Sequence, residues 1–151
     1  MALNIFLIDD DADDRDVFRE ALYEIDPKIV CSTAIDGRKA LSMLNHGVIG
    51  IPDVIFLDLN MPGMTGWEFL AVLKESPILY DIPVIIYSTS SYSEDIIKAQ
   101  KNGALCFYSK PARFSELQMN LAAVVDHLRD GTLAFLPETS NRFLTPANDP
   151  R

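Results

Sequence analysis

Val54-Ile55-Phe56-Leu57-Asp58-Leu59-Asn60-Met61-Pro62-Gly63-Met64-Thr65-Gly66 opens with four apolar residues in a row and closes them with a carboxylate. Unbroken rather than alternating hydrophobicity, in a run this short and this rich in β-branched and aromatic residues, predicts a strand covered on both faces and therefore a parallel sheet. Asp58 then stands at the strand's carboxyl end, the edge of an open parallel sheet where ligands bind. Pro62 and Gly63 break the chain into a loop, and a helix is expected to open near Gly66, using Phe69, Leu70 and Leu73 as its apolar face.

Two further runs have the same character, Ile5-Phe6-Leu7-Ile8 and Val84-Ile85-Ile86-Tyr87, and Ile29 to Thr33 and Leu105 to Ser109 are weaker strand candidates. The segments between them are long enough for crossover helices. The first is predicted from Asp13 or Asp14 to about Ile25, with Pro27 beyond its end; the second covers Gly37 to Asn45, and the fourth Ser93 to Asn102. The last runs from Phe114 to about Arg129, where Phe114, Leu117, Leu121, Val124, Val125 and Leu128 recur at intervals of three and four. Strand and helix thus alternate five times, which with right-handed crossovers gives a three-layer (βα)5 doubly wound α/β sandwich. After Gly131 no period survives. Residues 131–151 are expected to form a C-terminal tail, docked in part through Phe135, Leu136 and Phe143, beside a domain spanning residues 4–130.

A chain of 151 residues, 48% apolar, suits one domain with a substantial core. Its 22 acidic residues against 13 basic ones give a net charge of -9. That charge disfavours nucleic acid or an anionic membrane as partner, and favours a cation or a basic protein surface. Cys31 and Cys106 lack the spacing of a zinc site or the density of a disulfide scaffold, and are expected to be reduced core residues. The amino terminus has neither a basic region nor a long apolar run, so no signal peptide or membrane span is expected and a cytoplasmic location is.

Four of the five strands end in a polar side chain: Asp9-Asp10, Asp58, Ser88 and Lys110. The crevice rule predicts that these residues share one pocket. Six aspartates lie between residues 9 and 16. Asp13, Asp14 and Asp16 are read as solvated residues favouring the positive end of the first helix, whereas Asp9 and Asp10 directly terminate a buried strand and are read as ligands. Three carboxylates in one cleft repel one another, at a cost on the order of 4 kcal/mol per pair for a separation of about 4 Å and an effective dielectric of about 20. Mg²⁺ would offset this, since it favours one or two carboxylates, retained waters and a phosphate oxygen; the EF-hand pattern of a Ca²⁺ loop is absent. Lys110 adds a point charge and Ser88 a hydroxyl. Together with a metal they could hold the three equatorial oxygens of a transferring phosphoryl group, with Asp58 as the in-line nucleophile.

The motifs Phe6–Arg15 (FLIDDDADDR), Pro52–Leu70 (PDVIFLDLNMPGMTGWEFL), Ile82–Ser91 (IPVIIYSTSS) and Gly103–Pro111 (GALCFYSKP) occur in this order. Through them the chain, from Asn4 to Arg129, resembles a single-domain, chemotaxis-type receiver of two-component response regulators. The strand-terminal Asp followed by Met-Pro-Gly-Met and a helix-opening Gly is the most specific of them. The resemblance implies a flavodoxin-like sheet in the order 2-1-3-4-5, for which such receivers are a standard illustration. It implies that Asp58 is the phosphoacceptor, that Asp9, Asp10, Asp58 and the backbone carbonyl of Asn60 hold Mg²⁺, and that Lys110 and Ser88 meet the phosphoryl group. It further implies a cis bond between Lys110 and Pro111, and a switch formed by Ser88 and Phe107. Phe107 carries no hydroxyl, so that switch could work only by rotamer packing. A histidine kinase or histidine phosphotransfer protein is the implied donor. About twenty residues follow the last predicted helix. No helix-turn-helix output fits there, so signalling is expected through protein contacts or onward phosphotransfer. Enzymatic activity beyond the chain's own phosphorylation and dephosphorylation is not expected.

Two alternatives belong to other classes. A haloacid-dehalogenase-type phosphatase would use Asp9 as nucleophile and Asp11 as acid-base, but lacks a suitable acidic pair after Lys110 and leaves Asp58 without a role. A receiver-like binding module that is never phosphorylated would be insensitive to Asp58→Asn. Trp67, the single tryptophan, follows the acceptor loop and is expected to report metal binding by fluorescence.

Overall fold

A computed structural model describes residues 2–89 and 93–136 of the chain. The strands are β1 (Asn4–Ile8), β2 (Val30–Ala34), β3 (Val54–Leu57), β4 (Val84–Ser88) and β5 (Cys106–Ser109). Between and after them run α1 (Ala12–Ile25), α2 (Gly37–Asn45), α3 (Gly66–Glu75), α4 (Ser93–Lys101) and α5 (Phe114–Asp130), followed by a short 3-10 turn at Leu133–Phe135. All strand pairs are parallel, in the order β2-β1-β3-β4-β5. The expected doubly wound architecture is therefore the one observed.

The two-sided burial predicted from continuous apolar runs is met in β3 and β4, where every residue is buried. Alternate side chains along each strand enter different layers. Phe6, Ile8, Ile55, Leu57, Val84, Ile86 and Phe107 pack with α2, α3 and α4. Ile5, Leu7, Val54, Phe56, Ile85, Tyr87, Cys106 and Tyr108 pack with α1 and α5. In that second layer Phe18 of α1 meets Phe56 and Tyr87 edge-on, with centroids 5.0 and 5.6 Å away. The 3-10 turn adds Leu133 and Leu136 to the same layer. Phe143 lies outside the described residues.

The differences from expectation are local. α1 starts at Ala12 because Asp11 takes the N-cap and accepts a bond from the Asp14 amide. β2 is displaced by one residue, to Val30–Ala34, because its pairing with β1 continues to the Ile8 and Ala34 pair and the Asp9 amide donates to the Ala34 carbonyl. α4 ends at Lys101 rather than Asn102. Cys106 is buried as expected, whereas Cys31 is only partly so. The implied cis bond before Pro111 is not found: among the described residues no peptide bond is cis. Trans is the ground state of an Xaa-Pro bond by about 0.5–1 kcal/mol. No described helix is long and apolar enough to cross a membrane.

Candidate functional site

The carboxyl ends of β1, β3, β4 and β5 open onto one crevice. Asp9 follows β1 and is fully buried, Asp10 beside it is exposed, and Asp58 follows β3 with 5% of its surface accessible. One carboxylate oxygen from each lies within 4.8 Å of the others. The pairing of neighbouring strands puts them together, since Ile8 is the partner of Leu57 and the Asp58 amide donates to the Ile8 carbonyl.

Lys110 reaches into this group from the end of β5. Its Nζ stands 2.8 Å from Asp9 Oδ2 and 3.7 Å from Asp58 Oδ2. The Asp9 contact is an ion pair set off the line of a directed hydrogen bond. The same ammonium lies over the Tyr87 ring, 5.6 Å from its centroid. Ser88 closes β4, fully buried, and its carbonyl accepts from the Lys110 amide at 2.8 Å. Hydroxyl and amine are thus carried on adjacent backbone.

A third acid on Lys110 was not anticipated. Asp14 Oδ2 is 2.8 Å from Nζ, so the reading of Asp14 as a merely solvated residue is corrected. Its signal was geometric: with Asp11 at the N-cap, Asp14 is the third helical residue and sits over the start of the helix, beside the crevice. Two other supports also escaped the sequence reading. Arg15 Nη1 donates to the Asp9 carbonyl at 2.8 Å, and the Asp11 amide donates to Asp9 Oδ1 at 2.9 Å.

The charges do not balance. Burial lifts the Asp58 carboxyl to about 6; Lys110 opposes this and Asp9 reinforces it. Burial also raises Asp9, against the pull of Lys110. Lys110 responds in the opposite sense: burial disfavours its charge, but its hydrogen bond to Asp14 and its ion pair with Asp9 outweigh that and hold the amine above the ordinary lysine range. Two buried acids that stay hard to ionise beside an ammonium indicate a deficit of positive charge. An all-oxygen set of three carboxylates, one of them exposed, fits a hard divalent cation that keeps part of its water shell.

The loop after Asp58 is fixed by α3. Thr65 and Glu68 form a reciprocal capping box, and the Gly66 amide donates to the Leu59 carbonyl. The Asn60 amide points back at Asp58 Oδ1, 3.4 Å away. Phe107 is buried in the α3 and α4 layer.

A family model described as the response regulator receiver domain matches residues 5–122. The chain belongs to the response regulator receiver family. It is 34% identical over 115 residues to the two-component response regulator ORR6 of Oryza sativa subsp. japonica, covering 76% of this chain and 66% of that protein. It is 36% identical over 111 residues to a protein-glutamate methylesterase/protein-glutamine glutaminase of Anaeromyxobacter dehalogenans, covering 74% of this chain and 30% of the other. The chain thus spans about a third of that methylesterase and just under two thirds of the plant regulator. Among solved structures, the phosphorylated cyanobacterial phytochrome response regulator RcpA superposes with a TM-score of 0.79 at 30% identity, over 87% of this chain and 96% of that one. The Mn(2+)-bound form of response regulator Rcp1 gives 0.69 at 27% identity, over 81% and 91%. Aspartate phosphorylation and Mg²⁺ binding are typical of receivers, and the phosphatase alternative is not favoured. The geometry agrees: Asp11, its acid-base, is occupied in capping α1.

Proposed function

We propose that this receiver accepts a phosphoryl group on Asp58 from a histidine kinase or histidine phosphotransfer protein, with Mg²⁺ held by Asp9, Asp10, Asp58 and the Asn60 carbonyl. The observation that carries the reading is the convergence of three carboxylates within 4.8 Å beside a lysine 3.7 Å from Asp58. A bound divalent cation would neutralise charge on the transferring group. The chain's own residues do the rest. An Asp58 oxygen forms a bond to phosphorus as the bond from phosphorus to the donor's histidine nitrogen breaks, and that nitrogen leaves with the electron pair. Lys110 and the Ser88 hydroxyl each donate to a phosphoryl oxygen.

The product carries a charge of about -1.5 to -2 at the crevice in place of the acceptor carboxylate's own single charge. We read the consequence as an inward pull on Ser88 with repacking around Phe107, which biases the face made by α4, β5 and α5 toward a protein partner. The methylesterase likeness covers only 30% of that protein, so for this chain we propose no turnover beyond its own phosphorylation and dephosphorylation. A soluble cytoplasmic protein is the setting this reading implies.

The test is incubation with acetyl phosphate and Mg²⁺ followed by intact mass. Wild type should gain one phosphoryl group, and both Asp58→Asn and chelation of the metal should abolish the gain. A phosphorylated Asp58→Asn protein would refute the assignment, and a partner that binds wild type and Asp58→Asn alike under phosphorylating conditions would favour the unphosphorylated binding module.

A further inference from the structure

Lys110 faces three carboxylates, and they are not equivalent. Asp9 and Asp58 belong with Asp10 to the cluster that can hold a cation, whereas Asp14 lies outside that cluster on the first turn of α1. The ammonium is 2.8 Å from both Asp9 and Asp14 but 3.7 Å from Asp58. A charge-assisted N–H···O bond closes at about 2.7–2.9 Å, so the amine is hydrogen-bonded to Asp14, ion-paired with Asp9 and left open toward Asp58.

We infer that Asp14 is a positioning residue for phosphoryl transfer: it holds the Lys110 ammonium off Asp58, leaving the gap that a phosphoryl oxygen enters. The inference rests on Asp58 being the acceptor. Without Asp14, the amine keeps only its ion pair with Asp9, and the other carboxylate within 4 Å of it is Asp58. The amine would then close onto the nucleophile, occupy an oxygen lone pair, and have to be displaced by each incoming donor. Asp14 is also the one carboxylate within 4 Å of Lys110, among the described residues, that a cation bound by Asp9, Asp10 and Asp58 would not claim, so it keeps the amine anchored in the loaded site.

The backbone is built to hold this arrangement. The Asp14 amide donates to the Asp11 cap, the Asp11 amide donates to Asp9, and Arg15 donates to the Asp9 carbonyl. The start of α1 is therefore tied to the end of β1, and the Asp14 carboxylate keeps a fixed relation to Asp9. Because 39% of the Asp14 side chain is accessible, its pair with Lys110 contributes little to stability, and its effect is on where the amine sits.

Initial rates of phosphorylation of the full chain, across acetyl phosphate concentrations at fixed Mg²⁺, test this. In that reaction an Asp58 oxygen bonds to phosphorus while the phosphorus–oxygen bond to acetate breaks, and acetate leaves with the electron pair. Asp14→Asn should lower the maximal rate about three- to tenfold, the size of a modest change in transition-state contact. The half-saturating donor concentration and the unfolding midpoint should stay near wild type, and Asp14→Glu should recover most of the rate. In a Lys110→Ala background Asp14→Asn should have no further effect, because the two act as one unit. An unchanged or faster Asp14→Asn protein, equal loss in Asp14→Glu, or an undiminished effect without Lys110 would each overturn the proposal. Failure of wild type to be phosphorylated, or phosphorylation of Asp58→Asn, would instead sink the acceptor assignment beneath it.

Discussion

A Cβ built on Gly66 would lie 2.3 Å from the Asp58 carbonyl oxygen and 2.8 Å from Leu59 Cα. The first turn of α3 is thus pressed directly on the backbone that carries Asp58, and glycine is required there for space. Replacing it must push α3 away from the acceptor loop, since both obstructing atoms are backbone. Gly66→Ala should cost about 1–3 kcal/mol, the usual range for overpacking. It should also slow phosphorylation, because Asp58 moves with the loop. Denaturant unfolding and intact-mass time courses on the same preparation check both; full stability with a full rate would show that the contact relaxes freely.

Asp58 predicts an unusual dependence on pH. Its carboxyl is raised from 3.8 to about 6, chiefly by burial. The folded state therefore binds the proton more tightly than the unfolded chain does. Any stabilisation from this group is fully present below about 4 and is lost as pH rises through about 6. At 1.36 kcal/mol per unit this amounts to at most about 3 kcal/mol. In chelator, wild type should gain stability between pH 7 and pH 5, with Asp9, also raised, acting in the same direction. The depressed Asp26 and Glu68 work oppositely, but only at more acid pH. Divalent-cation affinity should fall over the same interval, because the proton and the metal compete. Asp58→Asn should flatten the stability slope; a slope equal to wild type would show that other groups generate it.

Most of this site could be read from sequence because strand ends are easy to read. Asp9, Asp58, Ser88 and Lys110 each close an apolar run, and a parallel sheet collects the carboxyl ends of its strands at one edge. Asp14 was missed because a helix start is read from propensity, and one residue of error there rotates a side chain by about 100° around the axis. The trans bond before Pro111 was missed for a different reason. The two isomers differ by so little energy that local sequence does not choose between them. Gly66 reads as a helix opener, but its closeness to the Asp58 carbonyl is a tertiary fact that no local pattern encodes.

Lys98 of α4 holds its ammonium 4.4 Å from the centroid of Trp67 on α3. Trp67 is half-buried against the α2, α3 and α4 layer, so its emission should respond first to where α4 sits. A cation–π contact at such a site is worth about 0.5–1 kcal/mol. Lys98→Gln should lose that amount and change the emission of the metal-free protein. Lys98→Arg should retain most of both properties. Identical spectra for wild type and Lys98→Gln would show that the contact does not persist in solution.

Lys110 is the cation that Asp9 and Asp58 share, and only 10% of its side chain is accessible. Lys110→Ala leaves two buried carboxylates facing each other, and removing one partner of a buried pair costs about 3–5 kcal/mol. That figure should hold in chelator, where nothing replaces the lost charge. Mg²⁺ should reverse part of it, because ligand binding to the folded state adds about 2.7 kcal/mol at a hundredfold excess over the dissociation constant. The increment should be larger in the variant than in wild type: in wild type the cation has to compete with the ammonium for Asp9, and in the variant it does not. Urea unfolding midpoints for both proteins, with and without Mg²⁺, give the four values needed. Equal Mg²⁺ increments would mean that lysine and metal do not share Asp9, and that the cation is held elsewhere in the crevice.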